Sequence, residues 1–291
     1  LAESKAGKSR NNDLLKDLER FASPATQSGG FGFAVPKVFS YSQLEAYLNC
    51  PLQYKFNFIL KIPIETKPTM VFGRVMHSTL YEFMSRIMPA ATSQADLFSG
   101  QAEDKPKPDL KELLKIYDEY WQNDGYISAK QRDEYKKQGK KMLEIFYQQL
   151  EQEGWPDIRE LERNFKVPIN GNLFRGAIDR IDNLPDGGVE LIDYKTGSSK
   201  DKLDYSSKRQ LVLYRVVAEQ GLGLKVSGLS FYYLESGRKL TFQARDKDVD
   251  KLKEEIGEVV AGIKQGKFPP NAGRLCNFCD FNSICEFAQR S

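Results

Sequence analysis

The chain has 291 residues, 40% hydrophobic and 12% aromatic, enough for one large core or two modest ones. Its 43 basic and 40 acidic side chains leave a net charge of +3, so the overall balance does not announce a nucleic-acid binder. No apolar run reaches the length of a membrane span and no secretion signal is visible, which points to a cytoplasmic, intracellular protein without a membrane partner. The chain begins at Leu1 rather than Met, so a fragment of a larger protein is expected.

Residues 1–36 read as a connector. Charged residues, Ser, Asn and the run Gln27-Ser28-Gly29-Gly30-Phe31-Gly32 surround one short helical pattern at Leu14, Leu15, Leu18 and Phe21. Ala2-x-x-x-x-Gly7-Lys8-Ser9 fits a relaxed phosphate-loop pattern but lacks the buried strand before it and the apolar helix after it. A nucleotide site is rejected on that ground. The globular part, 37–291, is expected to open with a helix started by a capping box at Ser42-x-x-Glu45. Leu44, Tyr47 and Leu48 give this helix an apolar face, and Cys50-Pro51 marks its end or a kink. A second helix is predicted over 69–87, where Phe72, Val75, Met76, Leu80 and Phe83 recur at helical spacing. His77, the only histidine, lies about one residue's rotation off that stripe, with Gly73 one turn earlier leaving room for approach. Residues 89–108 are rich in Pro, Ala, Ser and Asp and read as a loop. Helices follow over 109–122 and 130–151, so that 89–155 reads as a helical insertion closed by Trp155-Pro156.

The sheet is expected to begin with a strand at 160–169. Glu162 lies near its start, where a lone carboxylate is most simply an exposed residue. Residues 174–197 then read as two strands joined by a turn at Pro185-Asp186-Gly187-Gly188. Side chains alternate along a strand, so Asp193 and Lys195 share one face and Tyr194 points to the other. If the strands pair, Asp179 joins that face. Two carboxylates beside a lysine suit divalent-metal phosphodiester cleavage. Carboxylates are hard oxygen ligands that Mg²⁺ accepts, and the lysine orients water or stabilises phosphate charge. Three solvated charges on a hairpin are the plain alternative. After a polar loop, Asp204 is placed to cap a helix running to about Glu219, with Gln210 and Tyr214 stacked four residues apart. Strands at 228–235 and 238–244 and a charged helix at 246–265 complete the elements. Basic clusters at 130–141 and 195–215 read either as phosphate contacts or as solvated helix faces; Lys200, Lys208 and Arg209 are the candidate contacts.

The ordered series Gly176-x-x-Asp179-Arg180-Ile181-Asp182, Asp193-Tyr194-Lys195-Thr196-Gly197 and Gln210-x-x-x-Tyr214 resembles the nuclease domain of the RecB/AddB group, within the PD-(D/E)xK superfamily. Phe72-Gly73-Arg74-x-x-His77 and the helix around Cys50 extend the resemblance, which covers roughly residues 38–288; some members of the family also carry an acidic residue at a point such as Glu162, a weak match. It implies an α/β, restriction-endonuclease-like core with a central mixed sheet flanked by helices. It implies one or two Mg²⁺ or Mn²⁺ ions held by His77, Asp179, Asp193 and the backbone carbonyl of Tyr194. Lys195 would act on water and phosphate, and Gln210 and Tyr214 would orient the scissile strand. The implied activity is cleavage of DNA, in exonuclease fashion on single-stranded ends, in repair or recombination beside a helicase motor in cis or in trans.

The remaining motif is Cys276-x-x-Cys279-x-x-x-x-x-Cys285, with Cys50 as the only other cysteine. Four thiols with none left over match either a Cys₄ zinc site or an iron–sulfur cluster, and the compact triplet alone leans slightly to zinc. The resemblance implies the other choice, a [4Fe–4S] cluster that staples the opening helix to the tail at 268–291. Two alternatives keep the same residues without turnover: a non-catalytic DNA-binding or scaffolding module, and a zinc-stabilised interaction domain.

Overall fold

The structure, a computed structural model, describes residues 35–88 and 107–289, and these all fall in one unit beginning at Val35. The connector expected over 1–36 lies outside the described residues apart from its last two positions, as does most of the loop expected at 89–108.

Strand β1 (Val38–Phe39) leads directly into α1 (Tyr41–Asn49). The capping box sits two residues earlier than expected. Ser40 Oγ accepts from the Gln43 amide at 3.3 Å, and Gln43 Oε1 accepts from the Ser40 amide at 2.9 Å. Ser40 takes the role because the chain leaves β1 extended there, with φ −129° and ψ 165°, the backbone an N-cap requires. Cys50 ends α1, and Pro51 opens the short α2 (Pro51–Tyr54), where its missing N–H costs no hydrogen bond. Helix α3 (Pro68–Ser85) also starts on a proline and buries Val71, Phe72, Val75, Met76, Leu80 and Phe83 at the expected spacing. Helices α4 (Leu110–Tyr120) and α5 (Ala129–Glu153) are capped by Asp109 and Ser128, and α5 stops at Gly154 with φ 93°.

The sheet contains β2 (Ile158–Ile169), β3 (Asn172–Asn183), β4 (Val189–Lys195), β5 (Val226–Tyr233) and β6 (Arg238–Phe242). It is mixed: β1–β3 and β4–β5 are parallel, and β2–β3, β3–β4 and β5–β6 are antiparallel. β2 follows one edge of β3 along its length. The other edge is shared, with β1 at Leu173–Phe174 and β4 at Arg180–Asn183. The β3–β4 turn is the one expected: the Gly187 amide donates to the Leu184 carbonyl at 3.0 Å, and Gly187 takes φ 75°, where a side chain would be strained.

Helices cover both faces, which is why β4 is buried along nearly its whole length. On one face, α6 (Tyr205–Gly221) and α7 (Asp246–Lys264) pack on Ile181, Leu191 and Phe231. On the other, α3, α4 and α5 pack on Ile192, Tyr194 and Tyr232. The helices expected as an insertion thus form a core layer, with Leu113, Tyr117, Met142 and Phe146 fully buried. Burial on that scale contributes roughly 1.5–3 kcal/mol per large apolar side chain, which fixes α3 and therefore His77 over the sheet.

Candidate active site

The polar side chains of the β3–β4 strand pair gather where α3 and α6 approach it. The Tyr194 amide, on β4, donates to Asp179 Oδ2, on β3, at 2.8 Å. Asp193 and Lys195 share a face, and their charged ends meet at 2.7 Å. Gln210, from α6, ties the group together: its Nε2 donates to Asp193 Oδ1 at 2.7 Å, and its Oε1 accepts from Lys195 Nζ at 2.9 Å. Tyr214, one turn on, lies 3.0 Å from the same amide nitrogen. Asp204 sets the start of α6 by accepting from the Ser207 amide at 2.8 Å. His77 reaches in from α3, with Nε2 3.1 Å from the Tyr194 carbonyl oxygen and Nδ1 3.4 Å from Asp179 Oδ2. All the residues expected to act as ligands or catalysts therefore meet at one place. A Cβ at Gly73 would touch only Thr196 Oγ1, at 3.9 Å, so the approach beside His77 is open.

Glu162 reads from its sequence context as an ordinary exposed residue, and the structure brings it into the site. Ligand atoms of His77, Glu162 and Asp179 all lie within 4.8 Å of one another. Glu162 sits on β2, and the pairs Leu161↔Arg180 and Arg163↔Ile178 bracket it against Asp179. Asn170 and Gly171, with φ 51° and 73°, make the two-residue turn between β2 and β3. Asn-Gly is the strongest short hairpin signal, and counting back from it pairs Glu162 with Asp179. Glu162 itself has φ 44°, a strained backbone for a non-glycine residue of the kind that clusters at functional sites.

The electrostatics fit a divalent cation. Burial lifts the Asp193 carboxyl to about 6, with Lys195 opposing and Asp179 reinforcing the rise. Burial also raises Glu162, and the Asp179 charge adds to it. Burial works against the His77 imidazolium, but the hydrogen bond and charge of Asp179, then Asp193 and Glu162, carry it up to about 9. The three carboxylates are thus crowded together, with Lys195 and His77 supplying the opposing charge. A hard dication would relieve the same repulsion, and carboxylate oxygens, a main-chain carbonyl and an imidazole are a donor set that suits it.

The sequence profile of the PD-(D/E)XK nuclease superfamily matches residues 38–286. The chain belongs to the PD-(D/E)XK nuclease superfamily. It is 27% identical over 261 residues to one of the subunits of the ATP-dependent helicase/deoxyribonuclease of Carboxydothermus hydrogenoformans, covering 79% of this chain and 23% of that protein. It is also 27% identical over 266 residues to the Gene 69 protein of Mycobacterium phage D29, covering 84% of this chain and 95% of the phage protein. The chain thus spans about a quarter of the first relative and nearly all of the second. A solved structure of a candidate exonuclease from Eubacterium rectale superposes with a TM-score of 0.52 at 13% identity, covering 92% of this chain and 97% of that one, a likeness of fold.

Away from the hairpin of this PD-(D/E)XK domain, Cys50, Cys276, Cys279 and Cys285 line one small cavity of about 40 Å³. All four are free and half-buried. The Asn271 amide donates to Cys50 Sγ at 3.3 Å, and the Gly273 amide donates to Cys276 Sγ at 3.4 Å, which lowers the Cys276 thiol from its ordinary value. The donor chemistry fits a metal or cluster held by four sulfurs. The candidate phosphate contacts divide: Lys200 donates to Ser207 Oγ at 2.7 Å and Lys208 lies 5.0 Å over the Phe242 ring. Arg209 is held by Glu255 at 2.9 Å with its side chain 12% exposed, so much of its charge is already balanced within the fold. In the basic stretch of α5, Lys136 and Lys140 both pair with Asp118, at 3.0 and 2.8 Å. Among the described residues no helix is long and apolar enough to cross a membrane.

Proposed function

We propose that this domain is a metal-dependent deoxyribonuclease, acting as an exonuclease on single-stranded DNA ends in repair or recombination. The observation that carries the reading is the Asp193–Lys195–Gln210 array, set beside Asp179, Glu162 and His77 on one face of the sheet. Mg²⁺ or Mn²⁺ held by Asp179, Asp193, the Tyr194 carbonyl, His77 and Glu162 would supply Lewis acidity toward a phosphoryl oxygen. Lys195 has three N–H donors, of which Asp193 and Gln210 engage two. The third is available to orient the attacking water or to meet charge building on the phosphate. Gln210 holds Asp193 and Lys195 in fixed relation, so neither has to reorganise as the substrate reacts. His77 must give up a proton to serve as a ligand, which the neutralisation of its acidic neighbours favours.

A helicase motor, in cis or in trans, is the proposed partner. The relative from Carboxydothermus hydrogenoformans is named for a helicase/deoxyribonuclease and is several times longer than the shared region. For the cysteines we propose a [4Fe–4S] cluster. The four sulfurs line one cavity, with the early Cys50 beside the late Cys276, Cys279 and Cys285, the arrangement the RecB/AddB resemblance implies for such a cluster.

The test is digestion of end-labelled single-stranded DNA by anaerobically purified protein, with Mg²⁺ or Mn²⁺ and with a chelator. Cleavage that the chelator abolishes and Lys195→Ala loses supports the reading. A folded, cluster-loaded protein that binds DNA without cutting it would instead be the non-catalytic module.

A further inference from the structure

Alternation along β3 and β4 puts Asp179, Asp193 and Lys195 toward the site and sends Arg180 and Tyr194 the opposite way, under α3 and α5. There Arg180 Nη1 donates to the Tyr194 hydroxyl at 2.8 Å, and its Nη2 meets Asp182 Oδ2 at 2.9 Å. The guanidinium carbon lies 5.7 Å from the Tyr194 ring centroid, so the arginine grips both the ring and its hydroxyl. The side chains of Arg180 and Asp182 are only 6% and 7% exposed. A buried ion pair is weak evidence for stability, because desolvation offsets the attraction, so its presence here calls for another reason.

The reason lies in the main chain of the gripped residue. The Tyr194 amide donates to Asp179 at 2.8 Å, and the Tyr194 carbonyl oxygen faces His77 Nε2 at 3.1 Å. One peptide segment therefore touches two of the groups that hold the cation, while its own side chain is anchored behind the sheet. We propose that Arg180 and the Tyr194 hydroxyl form a positioning clamp on the rear of the sheet, which sets the Tyr194 main chain and with it the metal-binding geometry. This rests on the reading of the front face as a metal site. Arg180 touches neither substrate nor cation in this scheme and is a positioning residue.

Tyr194→Phe is the primary variant, because it removes one hydroxyl and keeps the ring packed on Phe146 and Tyr232. Tyr232→Phe is its control: the Tyr232 hydroxyl is buried in the same layer and has no hydrogen-bond partner among the described residues. Binding of Mn²⁺ is read from the depletion of the free-ion paramagnetic resonance signal, and cleavage is followed across a Mn²⁺ titration. The clamp predicts about 10-fold weaker Mn²⁺ binding in Tyr194→Phe, the lower part of the range seen when groups behind metal ligands are removed. Cleavage should then largely recover at saturating Mn²⁺, and Tyr232→Phe should match the wild type. Adding Arg180→Met to Tyr194→Phe should cause little further loss, since both act through one contact. Wild-type Mn²⁺ affinity in a folded Tyr194→Phe overturns the clamp while leaving the metal site standing, as does an equal loss in Tyr232→Phe. A wild-type protein that binds no Mn²⁺, or binds it equally after Asp179→Asn, removes the metal-site reading and the clamp with it.

Discussion

The two candidate centres of this molecule are assembled in opposite ways. The acidic centre lies on adjacent strands whose register is fixed by hydrogen bonds, and its residues hold one another through Gln210, the Tyr194 amide and His77. The cysteine centre joins Cys50 to the tail at 268–291, where the backbone around Cys276 is short turns and Leu275 and Phe278 are 55% and 79% exposed. The first is held together by hydrogen bonds and ion pairs of the fold itself. The second has one buried apolar anchor, Phe281 against Phe56, and on the proposed reading it gains the rest of its strength from a group held by the four sulfurs. On that reading the chemistry of this chain is built into the sheet, and its closure is delegated to a bound group.

That contrast breaks most visibly at Cys50. Cys50→Ser should lose iron and acid-labile sulfide and lower the unfolding free energy by on the order of 5 kcal/mol, since it frees the long loop to Cys276. Chemical denaturation under anaerobic conditions reads this. A stability unchanged from wild type would mean that the staple is ornamental.

The opposite pattern is expected at Asp193. Asp193→Asn should lower the cleavage rate by about 10²–10³-fold without lowering the thermal midpoint. The folded carboxyl sits near 6, above its ordinary 3.8, so its ionisation opposes folding at neutral pH. That burden is full above about pH 6 and gone below the ordinary value, so any gain of the variant should fade as pH falls through this window. Calorimetry at a series of pH values beside a cleavage assay checks both halves.

The smallest effect separates scaffold from site. Asp204→Ala removes the N-cap of α6 and should cost about 1 kcal/mol at neutral pH. Hydrogen bonds from Ser207 and Ser206 hold the Asp204 carboxyl down at about 2. A depressed acid stabilises the fold above its ordinary 3.8 and loses that contribution as pH falls through about 2. The difference between wild type and variant in urea unfolding should therefore shrink over that interval, while Mn²⁺ affinity at neutral pH changes little.

How much of this is legible in the sequence follows from the same contrast. The β3–β4 hairpin is readable because a period of two and one Pro-Asp-Gly-Gly turn fix which side chains share a face. The spacing of the α3 stripe places His77 beside it, where a lone histidine is more often structural, and only the resemblance carried by Phe72-Gly73-Arg74-x-x-His77 implies a ligand. Glu162 is not readable from its own neighbours, because its role comes from the β2–β3 pairing, whose register is set eight residues away at the Asn170-Gly171 turn. The start of α1 falls two residues before its expected place because Ser40 and Ser42 both offer a hydroxyl, and only the extended backbone leaving β1 chooses between them. The weight of α4 and α5 in the core is hidden as well: an amphipathic pattern shows that a helix is covered, and not by what. Arg180 shows a further limit, since its neighbours in sequence point forward while it points back.

On the proposed reading, the face of β3–β4 bearing Asp179 and Asp193 is a divalent-metal centre. Mn²⁺ soaked into crystals and located by its anomalous scattering tests it most directly. A peak is expected among Asp179, Asp193 and the Tyr194 carbonyl, with His77 and Glu162 at its border, and it should be lost in Asp179→Asn. A well-ordered site with no anomalous density there, in crystals of protein that still cleaves DNA with Mn²⁺, would contradict it.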